Sequence, residues 1–99
     1  MMTVELAEQV VRFVRSQSPE SRRRLRLAMR KLEAERGDIK ALEGPLRGYH
    51  RLRVGPYRIV FAYATRADAP VGIRCLFAER RDTVYTVFSR MLERELLED

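Results

Sequence analysis

Apolar positions change period along this chain, and each change predicts an element. Val4 and Leu6 alternate with polar neighbours and predict a short strand. Ala7, Val10, Val11 and Val14 then fall at i, i+3, i+4 and i+7, one face of a helix. Ser18-Pro19-Glu20 marks a second start: serine caps free N–H groups, proline fits the first turn, and glutamate suits the positive end of the helix dipole. Leu25, Ala28, Met29 and Leu32 form the apolar stripe of this helix, which Gly37 is expected to end, and the two helices should make an antiparallel hairpin. Residues 37–48, with Gly37, Gly44, Pro45 and Gly48, are expected to be loop. Residues 49–54 and 57–63 alternate on either side of Gly55-Pro56 and predict a β-hairpin. Val71, Ile73, Cys75 and Phe77 should share one face of a further strand. Asp82 or Thr83 can cap a last helix, whose stripe is Val84, Val87, Phe88 and Met91.

The expected fold is therefore α+β, in the order strand, helical hairpin, three-stranded antiparallel meander, C-terminal helix, with the helices on one face of the sheet. Residues 1–99 read as a single domain; no repeat, linker or low-complexity tract interrupts them. The chain is 45% hydrophobic, enough for one core. The opening segment, MMTVELAEQVVRFV, is not patterned as a signal peptide, and no apolar run approaches the ~20 residues needed to span a membrane, so a cytoplasmic protein is expected.

Charge changes the picture more than composition does. Basic residues outnumber acidic ones 20 to 14, and all but Lys31 and Lys40 are arginine. Arginine presents a planar fork of donors that matches phosphate oxygens, and a net charge of +6 attracts polyanions, so nucleic acid is the first partner class to consider. One cysteine, Cys75, and one histidine, His50, exclude an intrachain disulfide and a cysteine or histidine metal cluster; neither a metal nor a cofactor is expected. Between Gly44 and Ala67 there is no acid but there are Arg47, Arg51, Arg53, Arg58 and Arg66. Arg51 and Arg53 project from the same side of their strand, and Arg58 lies across the hairpin, able to join them if the register allows. Unless acids from elsewhere pair with them, crowded guanidinium groups imply an anionic ligand. Arg22, Arg23, Arg24 and Arg26 read instead as the solvated face of a helix, and Cys75 as a small core residue. His50 should point away from Arg51 and Arg53.

Two segments carry a family resemblance. LEGPLRGYHRLRVGPYRIVF, residues 42–61, resembles the central signature of the RelE/ParE toxin superfamily: a leucine-glycine segment, an alternating basic strand, a glycine-containing turn, then Tyr-Arg-Ile/Val-aromatic. FAERRDTVY, residues 77–85, is similar to its second signature, a basic pair followed by Val-Tyr. The resemblance implies a type II toxin of the RelE kind that enters the ribosome and cuts mRNA by metal-independent attack of a 2′-hydroxyl on the adjacent phosphate. By motif position it implies catalytic roles for Arg51, Arg53, Arg58, Arg81 and Tyr85, and RNA contacts for Arg47, His50 and Arg80, with Arg80 and Arg81 both open as the active-site arginine. It also implies an acidic, RelB-like antitoxin from the same operon. Relatives carry lysines at the basic pair; arginine keeps its proton, so His50 and Glu79 are the remaining candidates for a base, or the arginines act by charge stabilisation. A ParE-like gyrase inhibitor and a catalytically weak RNA-binding relative are the alternatives on the same fold.

Overall fold

In the computed structural model, which describes residues 1–98, the elements run β1 (Thr3–Leu6), α1 (Glu8–Arg15), α2 (Pro19–Lys31), β2 (Asp38–Ala41), β3 (His50–Val54), β4 (Tyr57–Arg66), β5 (Ala69–Arg80) and α3 (Val84–Glu98). Ser18 caps α2 as expected, its hydroxyl accepting the Ser21 N–H at 3.4 Å. Gly37 does not end that helix. The chain leaves α2 through a tight turn at Leu32–Ala34, and Glu35 takes the left-handed conformation at φ 53. Gly37 serves a packing purpose instead: at φ +131, an added Cβ would lie 2.8 Å from Leu52 Cδ1.

The sheet has five strands in the order β1-β5-β4-β3-β2, with β1 parallel to β5 and the rest an antiparallel meander. The expected three-stranded meander thus gains a fourth strand, β2, inside the segment read as loop. Its four residues are too short to announce themselves against the flanking glycines; pairing with β3 is what makes them a strand.

The helices cover both faces, not one. Val10, Val14, Leu25, Met29 and Leu32 of the helical hairpin pack on Leu52, Ile59, Phe61, Ile73 and Cys75. On the other face Val84 and Phe88 of α3 pack on Val60, Phe77 and Leu46. The cause is a β-bulge. Val60 pairs with Phe77 but Phe61 pairs with Cys75, so Leu76 is an extra residue in β5. Phe77 therefore crosses to the face opposite Ile73 and Cys75, and β4, apolar on both sides, needs a helix on each. The α3 stripe is rotated accordingly: Val84 and Phe88 are buried, Tyr85, Met91 and Leu92 partly so, and Val87 is exposed.

Beyond the end of β1, the side-chain amide of Gln9 takes the place of a neighbouring strand. Gln9 Nε2 donates to the Ala78 carbonyl and Gln9 Oε1 accepts the Ala78 N–H, both at 2.8 Å. Cys75 is a core residue, as expected, and burial pushes its thiol up to about 12. Among the described residues no helix is long and apolar enough to cross a membrane.

Candidate nucleic-acid interface

Leu52 and Val54 face the helical hairpin, so Arg51 and Arg53 must face the α3 side. The β3–β4 register decides the rest. Arg53 pairs directly with Arg58, and Arg51 with Val60, so all three arginines share one face. Extended across the sheet, the same pleat reads Asp38 on β2, Arg53 on β3, Arg58 on β4 and Glu79 on β5. Two cations stand between two carboxylates. The adjacent pleat places Lys40 beside Arg51, and then Val60 and Phe77 under α3.

The arginines are not all unpaired. Arg51 donates to Asp38 Oδ1 at 3.0 Å and to the Asp38 carbonyl at 2.9 Å, and Arg53 Nε lies 4.0 Å from Asp38 Oδ2. The hydrogen bond from Arg51 holds the Asp38 carboxyl below the usual aspartate range, against a smaller opposing effect of burial. Arg51 is correspondingly tucked in, at 16% side-chain exposure against 54% for Arg53. Asp38 lies outside the acid-free window that begins at Gly44; pairing of β2 with β3 brings it in. The alternation of Asp38 and Lys40 with half-buried Ile39 was the one signal in the sequence for both residues.

Arg58 is held by backbone. Its Nη1 donates to the carbonyls of Gly55 and Tyr57, each at 2.9 Å, and no carboxylate among the described residues pairs with it. The turn thus presents this guanidinium at the hairpin end of the sheet.

Arg80 and Arg81 part company. Arg80 pairs with Tyr57, whose ring faces the helical hairpin and whose hydroxyl lies 3.1 Å from Gln17 Oε1. The Arg80 guanidinium sits 5.9 Å from the centre of that ring, on the face away from Arg58. Arg81 follows the end of β5; its N–H donates to the Pro56 carbonyl at 3.0 Å, and its Nε lies 3.6 Å from Asp82 Oδ1. Both backbones therefore adjoin the hairpin end of the sheet, but only the Arg80 side chain is committed to the Tyr57 ring on the face away from Arg58.

Tyr85, in the first turn of α3, is half-buried against the Val60–Phe77–Phe88 cluster. Arg47 is exposed beside Leu46, which anchors the 42–49 connection on the α3 side. His50 lies elsewhere, as its alternation predicts. It stacks on Phe61 at 5.5 Å, meets Tyr63 edge-on at 5.0 Å, and its Nδ1 is buried with no hydrogen-bond partner. The register that gathers Arg51, Arg53 and Arg58 turns His50 to the opposite face. Of the α2 arginines expected to form a solvated face, Arg23, Arg24 and Arg26 are exposed, while Arg22 is half-buried and donates to the Arg15 carbonyl at 3.4 Å.

No protein-family model and no curated protein matches the chain by sequence. Solved structures do match the fold. An archaeal RelE–RelB complex from Pyrococcus horikoshii aligns at TM-score 0.64 and 26% identity, over 81% of this chain and 94% of that one. A RelB–RelE antitoxin–toxin complex from Methanococcus jannaschii aligns at TM-score 0.61 and 24% identity, over 85% and 98%. The chain has the fold of the RelE/ParE-like toxin superfamily. A YoeB/ParE toxin from Agrobacterium tumefaciens, at 12% identity, has the same fold at TM-score 0.65, over 81% of this chain and 99% of that one. The fold thus persists where sequence similarity has nearly vanished, and the charged pleat of this chain must be read from its own residues.

Proposed function

We propose that this protein is the toxin of a toxin–antitoxin pair and an endoribonuclease that cleaves mRNA on the ribosome. The observation that carries the reading is the pleat of the RelE-type sheet on which Arg53 and Arg58 stand side by side. Two guanidinium groups on adjacent strands, about 5 Å apart at the backbone, suit one phosphate and its flanking oxygens. In the proposed reaction the 2′-hydroxyl attacks the adjacent phosphate and the 5′ oxygen departs, leaving a 2′,3′-cyclic phosphate. Negative charge grows on the phosphorane oxygens, where fixed guanidiniums are worth most. Arg58, fastened to the Gly55 and Tyr57 carbonyls, needs little rearrangement to meet that charge. Arg81 and Tyr85 flank the same end of the sheet, where they serve the leaving group and the neighbouring base.

The partner follows from the same charge distribution. An acidic antitoxin of the RelB kind would neutralise the arginine-lined face, and the archaeal neighbours solved as RelB–RelE complexes support that pairing. A chain that folds on binding suits a dispersed patch.

The test is induction of the chain alone in bacteria, followed by mapping of mRNA 5′ ends. Growth arrest with discrete cuts inside translated codons is expected. Unhindered growth at high soluble expression would refute the toxin. A DNA-damage response without cuts would favour gyrase inhibition over cleavage.

A further inference from the structure

Transfer of the 2′-hydroxyl proton needs an acceptor beside the phosphate, and the arginine-lined face restricts the choice. Arginine keeps its proton and cannot serve. His50 is on the other side of the sheet, packed on Phe61 and Tyr63. Asp38 is engaged by Arg51 at 3.0 Å and lies within 4.0 Å of Arg53. Lys40, on β2, is two strands from Arg58 and must first lose a proton of its own. Glu79 is different. It stands directly opposite Arg58 on β5, on the same face, and forms no ion pair among the described residues. Its Oε1 accepts the Arg80 backbone N–H at 3.0 Å, which holds the side chain near the end of the strand.

We propose that Glu79 is the proton acceptor of this site. The inference rests on the ribonuclease reading above and assigns the one role that reading leaves empty. A phosphate held by Arg53 and Arg58 has Glu79 to one side and Asp38 to the other, because the four residues are consecutive neighbours across the sheet. The Glu79 carboxylate takes the 2′-hydroxyl proton as the 2′ oxygen bonds to phosphorus. The bond from phosphorus to the 5′ oxygen breaks with its electron pair, and that oxygen takes a proton from water. Glu79 then returns its proton to solvent. Asp38 stays charged throughout and keeps Arg51 in place. The division is between an ion-paired carboxylate that orients a cation and an unpaired one that moves a proton.

The experiment compares the full-length wild type with Glu79→Gln in two measurements. One is single-turnover cleavage of ribosome-bound mRNA; the other is binding of the same RNA with a 2′-deoxynucleotide at the cut position, which cannot react. Glu79→Gln is nearly isosteric, and Glu79→Ala is measured in the same way as a second variant. The expected result is a cleavage rate lower by about a hundredfold or more, the usual worth of a general base, with binding and melting temperature unchanged. Cleavage at the wild-type rate in either variant would overturn the proposal. So would equal losses of cleavage and binding, which would make Glu79 a holding group. A wild type that binds but never cuts would instead remove the ribonuclease reading itself.

Discussion

Asp38 and Arg51 sit on neighbouring strands, and their 3.0 Å ion pair closes one end of the arginine-lined face. The pair makes Asp38 a determinant of acid stability. Its pKa is lowered in the folded protein, so its contribution is present above the ordinary aspartate value and is lost as pH falls through the lowered one. Melting curves of wild type and Asp38→Asn should differ near neutral pH and converge in acid. A difference that persisted in acid would assign the effect to something other than this charge.

Arg80 and Arg81 should separate cleanly. Arg81→Ala is expected to slow RNA cleavage, while Arg80→Ala should leave it near the wild-type rate, because Arg80 is turned over Tyr57. The reverse order in a single-turnover assay would contradict the orientation of β5.

Arg58→Ala should cost ~2.7–4 kcal/mol of transition-state stabilisation, roughly a hundredfold to a thousandfold in rate. Its melting temperature should stay close to that of the wild type, since the removed guanidinium bonds only partly exposed carbonyls of the turn. Full activity in this variant would sink the site.

Tyr85 is both half-buried and next to the site, so its variants have two readouts. If the ring stacks on a base, Tyr85→Phe keeps most activity, while Tyr85→Ala loses the ~1–3 kcal/mol that stacking contributes per base. Thermal melting separates that loss from packing. Should Tyr85→Phe restore both stability and rate to a melted Tyr85→Ala, the residue belongs to the core.

Gln9→Ala offers a test of the fold that leaves the site alone. It strands the N–H and C=O of Ala78 at the place where β1 no longer reaches β5. A loss of about 1–3 kcal/mol is expected in denaturant unfolding, the cost of a buried polar group without its partner. A neutral substitution would mean that water replaces the amide.

Salt dependence checks the electrostatics as a whole. Arg58 is unpaired among the described residues, and the contacts of Arg53 with Asp38 at 4.0 Å and of Arg81 with Asp82 at 3.6 Å are long and exposed enough for a phosphate to displace. Arg51 is instead held by Asp38 at 3.0 Å, so Arg53, Arg58 and Arg81 can each neutralise a phosphate. A slope of about −2 in log K against log salt follows, at −0.7 per phosphate for single-stranded RNA. Affinity independent of salt would remove the electrostatic argument.

Local periodicity determined a good deal by itself. The apolar repeats placed β1, the helical hairpin with its Ser18 cap, the β3–β4 hairpin and α3, because each of those elements buries a face that its own residues declare. Alternation put Arg51 and Arg53 on one side of a strand and His50 on the other, since side-chain direction in a strand depends only on parity. The tertiary structure decided what parity leaves open. An inserted residue, Leu76, reverses parity within β5 and sends Phe77 to the α3 face, which no local pattern records. The strand β2 exists because β3 offers it an edge, and only that pairing delivers Asp38 and Lys40 to the arginines. Whether Arg58 joined Arg53, which of Arg80 and Arg81 faced away, and that Glu79 stood opposite Arg58 were all questions of register. Register is set by contacts between residues distant in the chain, where neighbouring strands match apolar faces and turn geometry, and so it becomes fixed only when the sheet assembles.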